Sequence, residues 1–336
     1  MQACHLALVG ATGVLGREIL QVLEERNVPL SQLTVLASAQ SEGERVEYRG
    51  RSHVVRLLSR EAFAGVNVAI FAAGTEASKD YAPYAVRAGA VVIDTSPAFR
   101  LDPEVPLCVP ELNAAMLRRE SRMIAMPQSL TAQLALVLAP LHDAAPLKRV
   151  VVATYQAVAG LGRRGIEEFD QQLRDLLNFR SPQTQVFPHQ LAFNCVPQCG
   201  EFLDNGYTTE EMALANELRR LLNVPDLPMT VTAVRVPLVH GHSAVATVET
   251  VRPLPASQAR TVLEQAGGIT VEDDPKRLYY PLATRVLGHD AVFVGRIRAD
   301  DSVPHGLQLW MVADNLRPGG ALAAVQIVEQ LMKTAD

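Results

Sequence analysis

A residue with the chemistry of a nucleophile stands at a break within the apolar stretch 123–139. Pro127 prevents a continuous helix there, and the helical spacing of apolar residues resumes after Ser129. The start of a helix presents free N–H groups and the positive end of the helix dipole, where catalytic nucleophiles are often placed. Serine is also a common N-cap residue, so a capping role and a catalytic role both stay open for Ser129.

A glycine-rich turn near the amino terminus predicts a second chemical site. The apolar run at 4–9 favours a strand, GATGVLG at 10–16 a tight turn, and the segment after it an amphipathic helix. Glycines let the backbone approach a pyrophosphate, which the N–H groups at the helix start then bind. The pattern favours dinucleotide binding over a purely structural turn.

The cofactor preference is open at the sequence level. A second strand is predicted at 33–37, and Ser38 follows it, where the ribose of a bound dinucleotide is expected. Ser38 is compatible with the 2′-phosphate of NADP, whereas Glu42 and Glu44 would repel that phosphate. Both NAD and NADP stay candidates.

Composition excludes some classes of function. The chain has 336 residues, a net charge of −5, 48% hydrophobic residues and 20% charged residues. A negative net charge disfavours general binding of nucleic acids or anionic membranes, and the length favours two domains. The sequence shows neither a signal peptide nor an apolar run that would cross a bilayer, so we expect a cytoplasmic protein.

Four cysteines are too few for a disulfide framework in a chain of this size. Cys195 and Cys199 have the spacing of half a metal site, but a second pair at suitable spacing is missing from the sequence. We therefore expect free thiols and no metal.

The predicted pattern of helices and strands, which must position these residues, changes along the chain. Up to Pro146, apolar runs at 66–72, 90–93 and 123–125 alternate with helical segments at 78–87 and 111–117. This alternation predicts an α/β domain with a parallel sheet covered by helices.

After Pro146 the pattern favours an α+β domain with a mixed or antiparallel sheet. Strands are predicted at 149–158, 230–237, 243–251, 291–298 and 307–312, and helices at 166–177 and 208–222. The polar, proline-rich stretch 178–205 is a candidate subunit contact. A helix at 319–332 is expected to return to the first domain, which gives domains of 1–128 with 316–336 and of 129–315.

Several strings resemble the aspartate-semialdehyde dehydrogenase family, in order and in spacing, along nearly the whole chain. They are VGATGVLG at 9–16, AGAVVIDTSPAFR at 88–100, VPELN at 109–113, TYQAV at 154–158, FLDNGYTTEEM at 202–212, RVPLVHGHS at 235–243 and VADNLRPGGALAAVQI at 312–327. The resemblance implies a Rossmann-type cofactor domain, an α/β dimerisation domain and a homodimer. In that family a cysteine attacks the acyl carbon, hydride passes to or from NADP, and phosphate exchanges with a thioester.

The resemblance also implies roles for individual residues. Gln156 would orient the substrate near the nucleophile, and His242 would act as the acid–base residue, for which the near-neutral pKa of histidine is suited. Arg235 would bind the substrate carboxylate, Arg100 the phosphate, and Glu210 the substrate amine. The positions that match cofactor contacts are Gly10, Thr12, Gly13, Val14, Gly16, Ser38, Gly74 and Asn315.

The chain departs from the family pattern at three places. The family string Asn-Pro-Asn-Cys-Ser-Thr reads here Met-Pro-Gln-Ser-Leu-Thr, so Ser129 replaces the nucleophilic cysteine. Ala213 replaces a lysine that helps to bind phosphate, and Gln40 and Glu44 stand where basic residues usually flank the cofactor phosphate. A serine is a weaker nucleophile than a thiol, and its ester is a poorer acyl donor.

These departures favour a family member that has lost the dehydrogenase reaction and keeps a site for a small anion and possibly for a dinucleotide. Such a protein resembles the bacterial paralogues of Usg type, which share the fold and lack the cysteine. Two alternatives stay open. One is an active NAD(P)-dependent dehydrogenase of aspartate semialdehyde or a related substrate, and the other is a scaffold or regulatory subunit of an active relative.

Overall fold

The computed structural model of the protein describes residues 4–117 and 121–334. Its contacts divide the chain into a first unit, residues 1–129 with 319–336, and a second unit, residues 130–318. The boundaries predicted after residues 128 and 315 lie close to these, and the assignment of a function to each domain stays a prediction.

The first unit contains a six-stranded sheet in the order β5-β2-β1-β6-β7-β8, in which every neighbouring pair is parallel. Its strands are β1 (Cys4–Val9), β2 (Leu30–Ala37), β5 (Arg56–Leu57), β6 (Val68–Phe71), β7 (Val91–Asp94) and β8 (Met123–Ala125). Strand β6 is buried along its whole length, as expected of a parallel strand that is covered on both faces. The chain order reverses beside β1 and β6, which is where such sheets bind ligands.

Helices from both ends of the chain cover this sheet. They are α1 (Val14–Glu25), α2 (Thr75–Arg87), the short α3 (Pro110–Asn113) and α8 (Leu322–Thr334). Ile19 and Leu23 of α1 and Val325 and Val328 of α8 belong to one buried cluster. The carboxyl-terminal helix therefore completes the core of the first unit, as the sequence pattern predicted.

Two local predictions in the first unit were wrong or incomplete. The helix expected at 111–117 is only α3, followed by a short 3-10 turn at Ala114–Met116. Asn113 leaves the helical conformation there and binds the main chain at Val109 and Leu107, which competes with helix continuation. A small hairpin, β3 (Arg45–Tyr48) with β4 (Arg51–Val54), was not predicted because its short strands lack an apolar run.

The second unit contains a six-stranded mixed sheet in the order β10-β9-β11-β14-β13-β12. Its strands are β9 (Leu147–Gln156), β10 (Met229–Arg235), β11 (His242–Thr250), β12 (Ile269–Val271), β13 (Val292–Asp300) and β14 (Gly306–Ala313). Strand β9 runs parallel to β10 and antiparallel to β11. The end of β9, the end of β10 and the start of β11 therefore meet at one edge of the sheet.

Four helices belong to this part of the chain: α4 (Ser129–Ala144), α5 (Gly162–Leu177), α6 (Thr209–Leu221) and α7 (Ala256–Glu264). Residues 130–138 of α4 are all buried, which fits an apolar sequence without a polar face. Helix α6 begins with a capping box between Thr208 and Glu211. The α/β fold class, with a parallel sheet in one unit and a mixed sheet in the other, is confirmed.

The long irregular segment between α5 and α6 is held by side chains of α5. The Glu168 carboxylate accepts hydrogen bonds from the N–H groups of Gln185 and Phe187, and the Gln172 amide oxygen accepts from Leu191. Phe187 and Leu191 are buried beside α5. The subunit contact predicted for this segment stays a prediction.

Within residues 4–117 and 121–334, no helix is both long and apolar enough to cross a membrane. The same residues contain no group of three or more histidine, cysteine or acidic side chains arranged to hold a metal ion. All four cysteines are free.

Candidate active site

The predicted dinucleotide turn lies between β1 and α1. Gly10 has a φ of +87°, and a Cβ atom on it would lie 2.4 Å from the Ala72 carbonyl oxygen. A Cβ atom on Gly16 would lie 2.2 Å from the Gly10 carbonyl oxygen. Only glycine fits at both positions, and the N-cap residue Gly13 has no side chain over the first N–H groups of α1. This cradle fits the pyrophosphate of a dinucleotide.

The neighbouring loops complete the surroundings of the turn. Gly74, with a φ of +87°, precedes α2 and follows the Ala72 carbonyl that approaches Gly10. The Thr12 hydroxyl donates to the Ser41 hydroxyl at 3.2 Å, which ties the turn to the loop after β2. Ser38 is exposed at the start of that loop, and so are Glu42 and Glu44. The acidic side chains of Glu42 and Glu44 are therefore exposed in the same loop as Ser38.

Ser129 is the first residue of α4 rather than the capping residue before it, so the N-cap assignment from sequence is off by one position. Its side chain is half-buried. The turn before it is fixed at Met126, whose N–H donates to the Asp94 carbonyl oxygen at 2.8 Å and whose carbonyl accepts from Arg100 Nε at 2.9 Å. The turn that leads to Ser129 is therefore anchored by main-chain hydrogen bonds, and the nucleophile position that the resemblance implies for this residue stays a prediction.

Arg100 is buried and binds main-chain carbonyls. Besides Met126, it donates through Nη2 to the Thr95 carbonyl oxygen at 2.7 Å. Asp94 lies nearby, where its carboxylate accepts hydrogen bonds from Ser78 Oγ at 2.6 Å and Ser96 Oγ at 2.8 Å. Burial raises the pKa of Asp94, and the two serines and Arg100 oppose that rise. Through these hydrogen bonds Arg100 stabilises the turn before Ser129. The phosphate contact predicted for Arg100 stays a prediction.

Three of the predicted site residues converge in the second unit. Gln156 and Arg235 end the parallel strands β9 and β10 in direct register, and His242 begins β11. All three are buried, with 2%, 5% and 4% of their surfaces exposed, respectively. The sheet topology therefore brings together residues that are far apart in sequence.

The peptide group of Ala157 links two of these side chains. Its N–H donates to His242 Nδ1 at 3.0 Å, and its carbonyl oxygen accepts from Arg235 Nη1 at 2.9 Å. Burial, followed by the charges of Arg235 and His240, lowers the pKa of His242 from 6.5 to about 3. The near-neutral pKa assumed from the sequence is wrong for this environment, because a positive charge at His242 would be buried beside an arginine.

Glu210 lies in the first turn of α6, and the neighbouring Glu211 anchors that turn to β10. The carboxylate of Glu211 accepts from the N–H groups of Thr208 and Ala233, both at 2.7 Å. Ala233 is two residues before Arg235, so α6 and the end of β10 are fixed to one another. Ala213, where the resemblance implied a phosphate-binding lysine, follows on the same helix.

Asn315 lies beside the start of β11. Its Oδ1 accepts from the Gly241 N–H at 3.0 Å, while its buried Nδ2 meets no hydrogen-bond partner among the residues that the structure describes. An unpaired buried donor is costly, so a ligand acceptor at this point would be favourable. The cofactor contact predicted for Asn315 stays a prediction.

Some residues of this site carried little signal in the sequence. Ala157 acts only through its main chain, so its residue type indicates nothing. Gly160 is exposed, and a Cβ atom on it would lie 3.5 Å from both Arg235 Nη1 and His242 Nε2. A lone glycine in a short 3-10 helix does not reveal such a position.

Comparison with known proteins defines the class to which this fold and site belong. The family model described as "Semialdehyde dehydrogenase, NAD binding domain" matches residues 5–119, and the one described as "Semialdehyde dehydrogenase, dimerisation domain" matches residues 138–318. The chain therefore has the domain organisation of the semialdehyde dehydrogenase family, an NAD-binding domain followed by a dimerisation domain.

Proteins that are similar along the whole chain identify the family within this class. Aspartate-semialdehyde dehydrogenase from Aquifex aeolicus (strain VF5) is 43% identical over 333 residues, which are 98% of each chain. The crystal structure of aspartate semialdehyde dehydrogenase II from Vibrio cholerae has a TM-score of 0.95 at 41% identity and covers 99% of each chain. A probable aspartate-semialdehyde dehydrogenase from Pseudomonas aeruginosa has a TM-score of 0.93 at 33% identity, with both chains fully covered. The chain belongs to the aspartate-semialdehyde dehydrogenase family.

Proposed function

We propose that this chain is a catalytically degenerate member of its family, of the Usg type, which binds a small carboxylate-bearing anion and a nicotinamide dinucleotide without carrying out phosphorylating oxidation. The observation that carries the proposal is Ser129 at the first position of α4. The turn before it is anchored by Asp94 and Arg100, so the position is preserved while the sulfur is absent.

The missing thiol affects two steps of the family reaction. A thiol is partly ionised near neutral pH and attacks a carbonyl readily, whereas a serine hydroxyl needs an activating base. His242 is a poor candidate for that base because its Nδ1 is already occupied by the Ala157 N–H. An oxygen ester also transfers its acyl group to phosphate less readily than a thioester.

The chain's own cysteines do not replace the lost nucleophile. Cys4 and Cys108 are buried in the first unit, and burial raises the pKa of both thiols, that of Cys108 to about 12. Cys199 is buried in the second unit, and its pKa is likewise raised to about 12. Cys195 is exposed on the irregular segment between α5 and α6.

The retained polar residues support ligand binding. Arg235, Gln156 and His242 converge at one sheet edge, and Glu210 begins the helix that Glu211 fixes to β10. A structure of the Vibrio cholerae relative, at 42% identity, is described as complexed with ASA. The glycine cradle supports dinucleotide binding, and NAD and NADP are both candidates. The match to a dimerisation domain supports a homodimer.

Two measurements on the purified protein test this proposal. Isothermal calorimetry with NADP, NAD, L-aspartate and succinate is expected to detect binding of at least one dinucleotide and one carboxylate. Phosphate-dependent reduction of NADP with aspartate semialdehyde is expected to be absent, and equally absent in Ser129→Ala. Turnover by the wild-type protein that Ser129→Ala abolishes would contradict the degenerate reading.

The second candidate function is an active NAD(P)-dependent semialdehyde dehydrogenase. It is favoured by the names of whole-chain relatives at about 40% identity, such as those from Aquifex aeolicus and Bacillus subtilis. The same activity assay separates the two candidates, because only this one requires a serine-dependent rate.

A further inference from the structure

The loop that follows β2 lies beside the glycine turn of the first unit. Strands β1 and β2 are parallel neighbours with Val9 in register with Leu36, so both end at the same edge of the sheet. The N–H groups of Gly10 and Ala11 donate to the Leu36 carbonyl oxygen at 2.8 and 3.3 Å. A dinucleotide whose pyrophosphate lay in the turn would therefore place the ribose of its adenosine at this loop, which begins with Ser38.

The path of this loop, residues 38–45, is fixed by main-chain hydrogen bonds. The Ser41 N–H donates to the Ser38 carbonyl oxygen at 3.0 Å, and the Glu44 carbonyl oxygen accepts from the Val55 N–H at 2.8 Å. The hydroxyl of Ser41 also accepts the hydrogen bond from the glycine turn described above. None of these bonds uses the side chain of a glutamate or a glutamine, so the charges of the loop are available to act on a ligand.

Two of the loop's side chains, Glu42 and Glu44, are exposed carboxylates. Neither carboxylate forms a hydrogen bond or an ion pair with residues 4–117 or 121–334. Exposed carboxylates are ionised near neutral pH. The loop contains one cation, Arg45, whose Nε donates to Ser52 Oγ at 2.8 Å across the hairpin of β3 and β4. The loop therefore has an excess of negative charge.

Two further arginines of the first unit are held elsewhere. Arg17 Nε donates to the Thr12 carbonyl oxygen at 3.1 Å, which keeps this guanidinium at the glycine turn. The pyrophosphate expected there is common to NAD and NADP, so Arg17 does not distinguish between them. Arg56 lies on the edge strand β5, where it is in register with Leu36 in the sheet and not with the loop. The charge at the ribose is thus set by the loop's own side chains.

We propose that this loop selects NAD over NADP and that Glu42 and Glu44 are the specificity-determining residues, an inference that rests on the dinucleotide binding in the proposed function. The 2′-phosphate of NADP would add a charge of about −1.5 to −2 near these carboxylates at neutral pH, and like charges repel. The ribose hydroxyl of NAD is neutral and can donate a hydrogen bond to a serine or carboxylate oxygen at the same place. The discrimination is therefore electrostatic.

The first test compares the affinities of the wild-type protein for NAD and NADP by calorimetry at low ionic strength. We expect NAD to bind at least about tenfold more tightly. The ratio of the two affinities is then followed as salt is added, because the shared pyrophosphate cancels in this ratio and the 2′-phosphate does not. Salt screens repulsion, so the preference for NAD should narrow. NADP binding as tight as that of NAD, or a preference for NAD that widens with salt, overturns the inference.

The second test removes the two charges and keeps the size of the side chains. In Glu42→Gln/Glu44→Gln we expect NADP binding to tighten by at least about fivefold at low ionic strength, while NAD binding changes by less than about twofold. Glu61→Gln/Glu104→Gln is the matched control, because both carboxylates are exposed in the first unit outside the loop and the same net charge is removed. An equal effect on NADP binding in the two double variants overturns the assignment to Glu42 and Glu44.

The binding data also separate this inference from the proposed function on which it rests. NADP binding that equals or exceeds NAD binding overturns the selection by charge and leaves the dinucleotide part of the proposed function standing. Absence of binding for both dinucleotides overturns that part of the proposed function and this inference together.

Discussion

The carboxylate of Glu211 offers a sharp test of how the candidate site is held together. It is buried, with 7% of its surface exposed, and it accepts one hydrogen bond from the N-cap of α6 and one from β10. Glu211→Ala would leave the N–H groups of Thr208 and Ala233 without their partner inside the protein. A buried donor left unpaired costs about 1–3 kcal/mol, so the two together predict a loss of about 2–6 kcal/mol.

Unfolding of the correct unit can be followed selectively. Trp310 is the one tryptophan of the chain and lies in β14, on the same sheet as Ala233. Urea unfolding monitored by tryptophan fluorescence therefore reports on the second unit. The midpoint is expected to fall with little change in slope, because the surface exposed on unfolding stays the same.

The neighbouring residue provides the control. Glu210 is half-buried, so its interactions are screened by solvent, and Glu210→Ala is expected to change stability by about 1 kcal/mol or less. The two variants differ by one position in the same helical turn and remove the same chemical group. A midpoint for Glu211→Ala equal to that of Glu210→Ala would refute the reasoning from buried hydrogen bonds.

Three further predictions concern the proposed sites. Gly10→Ala should abolish dinucleotide binding and lower thermal stability, since its Cβ would lie 2.4 Å from the Ala72 oxygen; calorimetry and a melting curve check this, with Gly89→Ala as the control, because Gly89 is exposed, also has a positive φ and has open space around a Cβ atom. The pKa of His242 is depressed in the folded state, so its contribution to stability is present above pH 6.5 and is lost as the pH falls toward about 3. His242→Asn should flatten that part of the curve of unfolding midpoint against pH, and an unchanged curve would argue against a buried neutral ring. Ser129→Cys alone should not produce phosphate-dependent turnover, because groups that act together are not restored one at a time; measurable NADP reduction by this variant would show that only sulfur was missing.

The regular elements were the part of the fold that the sequence could predict. Apolar periodicity placed β1, α1 and the longer strands of both sheets, because each buries a continuous set of side chains. The short edge strands β5 and β12 were not predicted. Irregular structure gave no such signal. The segment at 178–208 follows no period, and its path depends on Glu168 and Gln172 of α5, which bind its main chain from elsewhere in the sequence.

The sequence likewise predicted some features of the candidate site and not others. Motifs pointed to Gln156, Arg235 and His242, and the parallel register of β9 with β10 explains why two of them are neighbours. The protonation of His242 could not be predicted, since it depends on a main-chain N–H and on burial. The structural role of Arg100 was equally hidden, because carbonyl acceptors leave no trace in residue type.

The discontinuous first unit has a consequence for how the chain folds during synthesis. Residues 130–318 form a unit of their own and can pack as soon as they have been made. The first unit needs Val325 and Val328 of α8 for its core and the ion pair of Arg26 with Glu329 at 2.8 Å, so it stays incomplete until that helix leaves the ribosome. The glycine turn at 10–16 is therefore synthesised before the second unit but gains the packing of α8 only after it. Removal of α8 should lower the stability of the first unit more than that of the second unit.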